Sequence, residues 1–117
     1  MTVGLSARNY LNNPVWDEDT IVLIVPANAV PGTAEDLIAY LKQATAAGGI
    51  GYRPSAVIIS NNSPANAYIR GDIIGAATTG AGLIIEPNGS LFLPIASEPK
   101  DRLLLETSTG LMVVCFK

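Results

Sequence analysis

Catalytic and metal sites are built from a short list of side chains, and this sequence is poor in them. The 117 residues contain no histidine. That removes Ser–His and Cys–His nucleophiles, the commonest general base, and most zinc and iron sites. Cys115 is the only cysteine. One thiol makes neither an internal disulfide nor a thiolate metal cluster. Within Leu111-Met112-Val113-Val114-Cys115-Phe116 it reads as a buried, inert thiol. The nucleophile elbow, the P-loop and the dinucleotide fingerprint are absent. Gly48-Gly49-Ile50-Gly51 is glycine-rich, but it follows an expected helix, and a phosphate cradle needs the opposite order.

Carboxylates are the remaining candidates. Asp17, Glu18 and Asp19 are oxygen ligands of the kind calcium accepts. They lack the spacing of a calcium loop, and neighbouring side chains on an extended segment diverge, so a solvated acidic turn is the simpler reading. Asp72, Glu86, Glu98, Asp101 and Glu106 stand singly and are expected as exposed turn or strand-end charges. A general acid and base could be assembled from them only by the fold. Arg70-Gly71-Asp72 spells the integrin-binding tripeptide, but it is embedded in the apolar stretch from Ala67 to Ile74. Asn88-Gly89-Ser90 fits a glycosylation acceptor, but without a signal-peptide pattern an expected hairpin turn is sufficient explanation. The sequence therefore predicts no catalytic residue, no metal and no organic cofactor.

The elements follow from hydrophobic patterning. Thr20–Val25 is a β-branched apolar run, hence an expected buried strand, ended by Pro26. Thr33 followed by Asp36 resembles a capping box, Glu35 and Asp36 suit the positive helix start, and Gly48-Gly49 supplies a stop. The spacing predicts a helix over about 34–47, with Leu37, Ile38, Leu41 and Ala44 on one face. Ser55–Ser60 reads as a short buried strand and Tyr68–Ala77 as a strand broken at Gly71-Asp72. Leu83–Glu86 and Ser90–Ile95 flank Pro87-Asn88-Gly89, a strong hairpin signal. Asp101–Glu106 and Leu111–Phe116 flank Thr107-Ser108-Thr109-Gly110, a second expected hairpin. The fold class is α+β, mostly β: a small antiparallel sandwich or barrel with one helix. Residues 1–16 read as an extended N-terminal arm, and residues 17–117 as a single β-rich domain.

A chain of this length buries enough surface to hold a core without disulfides or metal. Apolar residues make up 49% of it, but charged residues only 15%, against about 25% in average soluble domains. Ala, Gly, Ser, Thr and Asn take the place of the missing charges. Such a neutral surface suits burial against partners. The net charge is −3, and the seven Lys and Arg are scattered from Arg8 to Lys117. Without clustered cations, neither nucleic acid nor an anionic membrane is an expected partner. The first residues show no basic and apolar signal-peptide pattern, and no apolar run approaches the about 20 residues of a membrane span. The aromatics are not interleaved with cations, so no single-strand stacking platform is expected. Leu5, Tyr10, Leu11 and Trp16, in a stretch without strand or helix periodicity, have the character of anchors against a partner. Alternatively, they fold back onto the chain's own core.

The stretch ending at Asn12-Asn13-Pro14-Val15-Trp16, the Ala/Gly/Thr/Asn-rich composition, one helix in a β domain and the closing Asp101–Gly110 pattern together resemble the small decoration or cement proteins of tailed-bacteriophage capsids. The resemblance is one of style across the whole chain and carries over no residue-level site. It implies a β-rich, non-enzymatic virion protein, made in the host cytoplasm. Such a protein binds itself as a homo-oligomer and stabilises a larger lattice such as a major capsid protein. A tail or fibre component, or another assembly-binding module, is the neighbouring reading. An unfamiliar enzyme that works without histidine is the third.

Overall fold

The computed structural model describes residues 18–71, 79–95 and 103–117. The strands are β1 (Ile21–Val25), β2 (Glu35–Asp36), β3 (Ala56–Ser60), β4 (Ala67–Arg70), β5 (Leu83–Ile85), β6 (Ser90–Pro94), β7 (Leu104–Glu106) and β8 (Leu111–Phe116). One helix, α1 (Leu37–Lys42), and a single 3₁₀ turn (Thr45–Ala47) lie between β2 and β3. The strands form two four-stranded antiparallel sheets, ordered β1-β8-β3-β6 and β2-β7-β4-β5. Of the expected mostly-β sandwich or barrel, the chain adopts the sandwich, with one short helix among the described residues.

The core lies between the sheets. Val57, Ile59, Leu111, Val113 and Cys115 of the first sheet meet Ala67, Ile69, Ile85 and Leu105 of the second, with Leu37 and Leu41 of α1 closing one side. These residues alternate along their strands, as a pleated strand with one face on a core requires.

Three expectations about the helix and the turns need correction. First, the helix is shorter than residues 34–47, and its cap is Asp36, not Thr33. Glu35 and Asp36 pair with Leu105 and Leu104, and the Leu37 N–H donates to Leu103 O at 2.8 Å. Strand pairing thus holds the backbone extended until Asp36, whose carboxylate accepts from the N–H groups of Ile38 and Ala39. At the other end Gln43 is already extended. The orphan carbonyls of Leu41 and Gln43 take the N–H groups of Ile50 and Gly51 instead, a return that buries Ile50. Gly49 permits it: a Cβ there would stand 2.3 Å from Gln43 O. Ala44 falls beyond the helix and is exposed.

Second, Asn88-Gly89 makes a turn but no hairpin. β5 pairs with β4 in one sheet and β6 with β3 in the other. The turn is a corner pinned from outside: Asn88 N–H donates to Asn61 O, and Asn61 N–H to Gly89 O. Asn88 takes the left-handed conformation at φ 63°, which asparagine tolerates better than most residues. Fully buried Asn61 also donates its side-chain amide to Ala65 O and Ile85 O, both at 2.8 Å. Its side-chain oxygen accepts from the N–H and hydroxyl of Ser63. Third, Thr107–Gly110 is likewise a corner, because β7 and β8 belong to different sheets. Here Asn28 is the clamp. It accepts the Thr107 N–H at 2.7 Å through its side chain, and its own N–H donates to Thr107 O.

Candidate interaction surface

The register of the first sheet arranges its side chains in rows across the strands. One inner row runs Ile21–Cys115–Val57–Leu93, and the next Leu23–Val113–Ile59–Leu91. The rows between them face the other way. Val22–Val114–Ile58–Phe92 crosses all four strands, Ile24–Met112–Ser60–Ser90 lies on one side of it, and Phe116–Ala56–Pro94 on the other. This outer face carries no charged residue. Ala56, Val114 and Phe116 form a second apolar cluster there, with Ile58 and Phe92 packed against it. An antiparallel sheet with one face on a core ordinarily presents a polar outer face. This one is apolar on both.

The outer face opens toward β1. Val114 and Phe116 are buried, whereas Val22 is 46% and Ile24 61% exposed. This corrects the reading of residues 20–25 as a buried strand. A continuous apolar run signals burial on both faces, but here it is an edge strand that is half covered. Leu83 and Ile84 on β5 and Val30 in the β1–β2 loop are the other exposed large apolar side chains among the described residues. Exposed apolar residues therefore gather on two edge strands, one in each sheet.

The second sheet differs. Its outer face holds an ion pair between Arg70 and Glu106 at 2.9 Å, both nearly buried. Arg70 also donates to Ala81 O, and Gly80 N–H is shared between the two Glu106 oxygens. Glu106, expected as an exposed strand-end charge, is instead a buried anchor for the Gly80-Ala81 turn. Arg70 is committed to that anchor and is not offered as part of an exposed Arg-Gly-Asp, whose Asp72 lies outside the described residues. A small cleft lined by Val25, Asn28, Glu35, Asp36, Tyr40 and Leu105 has its carboxylates engaged. Asp36 caps α1, and Glu35 accepts from Ala29 N–H and the Asn28 amide.

Cys115 sits on an inner row, fully buried. Burial in apolar surroundings pushes its thiol from 9.0 up to about 12, which keeps it protonated and unreactive near neutrality. Glu18 and Asp19 form an exposed turn before β1, and the Tyr52 hydroxyl donates to Asp19 O at 3.4 Å. Among the described residues no three of Asp, Glu, Cys and His come together, and no helix is long and apolar enough to cross a membrane.

The sequence-derived contact residues Leu5, Tyr10, Leu11 and Trp16, with the whole 1–16 arm, lie outside the described residues. Sequence reasoning missed Val22 and Ile24. A signal was present, since a charge-free strand next to an acidic turn is unusual at an edge, but nothing local identifies the strand as an edge. Comparison with protein-family models, with curated proteins and with solved structures finds no match for the chain.

Proposed function

We propose that the chain is a non-enzymatic structural protein of a virion that binds and stabilises a capsid surface as an oligomer. The observation that carries this reading is the first sheet, apolar on both faces and open at its β1 margin. One apolar face fills the core; the other is buried at Ala56, Val114 and Phe116 and exposed at Val22 and Ile24 on its β1 margin. Neighbouring apolar side chains left exposed at a sheet margin suit protein contact, and closed symmetry is the usual way to cover them. The virion assignment comes from the composition and from the anchor-type residues Leu5, Tyr10, Leu11 and Trp16. Multivalent attachment by an oligomer turns weak single contacts into strong avidity.

The test is co-sedimentation of the purified protein with empty tailed-phage shells assembled from a major capsid protein alone. Saturable binding at a fixed number of copies per lattice site, with greater resistance of the shell to heat, is expected. Binding to tail tubes or fibres and not to shells would transfer the protein to the tail. Binding to neither would sink the assembly reading.

A further inference from the structure

Each sheet of the sandwich has two edges, and three of the four are protected against pairing with another chain. β2 is two residues long and β5 three, too short to template a ladder. β6 ends in Pro94, which has no N–H to offer. β1 has none of these devices. Its five residues, Ile-Val-Leu-Ile-Val, include no charge and no proline, and among the described residues it pairs with β8 alone. Unprotected edges of this kind are what natural sheets avoid unless something pairs with them.

We propose that β1 is a two-fold joint, at which the β1 edge of one copy pairs antiparallel with β1 of a second copy and joins two first sheets into one of eight strands. The proposal rests on the assembly reading above and names its first contact. Three features favour this chain's own copy as the occupant. The strand is self-complementary about Leu23: Ile21 falls opposite Val25 of the other copy and Val22 opposite Ile24, so inner rows continue as inner rows and outer as outer. Val22 and Ile24 of both copies then lie side by side, which takes part of the most exposed apolar surface of this sheet out of water. Finally, charge selects the antiparallel sense. The acidic Glu18-Asp19 turns fall at opposite ends of the joint, whereas a parallel pairing would set them side by side. A five-residue strand is about 17 Å long, small beside standard interfaces of about 1,200 Å² or more, so the joint is reversible and depends on concentration.

The test uses the full chain. Wild-type protein is expected to sediment as a dimer, or an even-numbered assembly, at roughly 100 μM, where contacts of modest affinity are filled. Val22→Lys with Ile24→Lys places charge on exposed positions and is expected to weaken association roughly 30-fold or more, the loss typical of a central contact, with an unchanged circular dichroism spectrum. A second measurement serves if that variant misfolds. Under mild oxidation, an equimolar mixture of Val22→Cys and Ile24→Cys proteins forms disulfide dimers. Either protein alone does so poorly, because only positions 22 and 24 lie opposite each other and like positions stand about 7–8 Å apart on the diagonal. An oligomer that survives the lysine pair in folded protein, or cross-links equally well with one cysteine variant alone, overturns the joint and leaves the assembly reading standing. A wild-type monomer at that concentration overturns both. A dimer that passes these tests but binds no shell keeps the joint and removes the capsid role.

Discussion

At the scale of single residues, the polar groups that hold the sandwich are those least visible in the sequence. Asn61, Asn28 and Glu106 each stand in an ordinary loop or strand-end context. Their partners lie far along the chain: Ile85 for Asn61, Thr107 for Asn28 and Arg70 for Glu106. Burial without these bonds would cost about 1–3 kcal/mol per unsatisfied group, so the fold makes them essential where local sequence offers no hint. Cys115 is the contrary case. Its apolar neighbours announce burial, and the structure places it fully inside. A measurable pH dependence follows. The folded thiol is pushed up to about 12 from 9.0, so its contribution to stability is complete below the unfolded value and is lost as pH rises toward the folded one. Between those values unfolding should become easier by about 1.4 kcal/mol per pH unit on account of this group alone. Urea denaturation of wild type and Cys115→Val at pH 8 and pH 10.5 checks it: the difference between the two proteins should shift in favour of the valine variant at the higher pH. An unchanged difference would show that the thiol does not titrate in the unfolded chain alone.

At the scale of elements, pattern identified the strands more faithfully than their partners. β1, β3 and β8 fall where apolar runs predicted them, because such runs suit pleated, half-buried backbone. The turns at Asn88-Gly89 and Thr107–Gly110 are also where expected. What the sequence conceals is that each turn carries the chain to the other sheet, since pairing is decided by clamps at Asn61 and Asn28, outside the turns themselves. The helix shows the same competition: a local capping signal at Thr33 yields to the pairing of Glu35 and Asp36 with β7. Thus Asp36→Ala should destabilise the protein by about 1 kcal/mol, as loss of a helix cap does. Thr33→Ala, at an exposed loop position, should stay within about 0.5 kcal/mol of wild type. Thermal or urea unfolding of the two variants distinguishes the caps, and equal losses would contradict the structure.

For the whole molecule, fold class was readable and the position of the exposed apolar side chains was not. Composition suggested exposed apolar residues, but that Val22 and Ile24 are among them depends on β1 ending its sheet, a property of topology alone. The arm residues Leu5, Tyr10, Leu11 and Trp16 make a separate prediction. Deleting residues 1–14 is expected to leave a soluble, folded protein whose binding to capsid shells falls strongly, read by co-sedimentation and by circular dichroism. A deletion variant that still saturates the shell would remove the arm from the contact and leave β1 and the outer face of its sheet to account for it.

The order of strands in the first sheet also governs how the protein comes into being. β8 stands between β1 and β3, so the eighth strand to be synthesised is an inner strand of the sheet. On the ribosome, β1 therefore has no β8 partner until residues 111–116 have emerged, and for that interval Ile21–Val25 is an open, sticky template. Closing contacts across such separations is slow. Nascent chains of one message are thus exposed to each other through the strand proposed to join finished copies. Correct folding then depends on β8 reaching its slot before a neighbouring chain does.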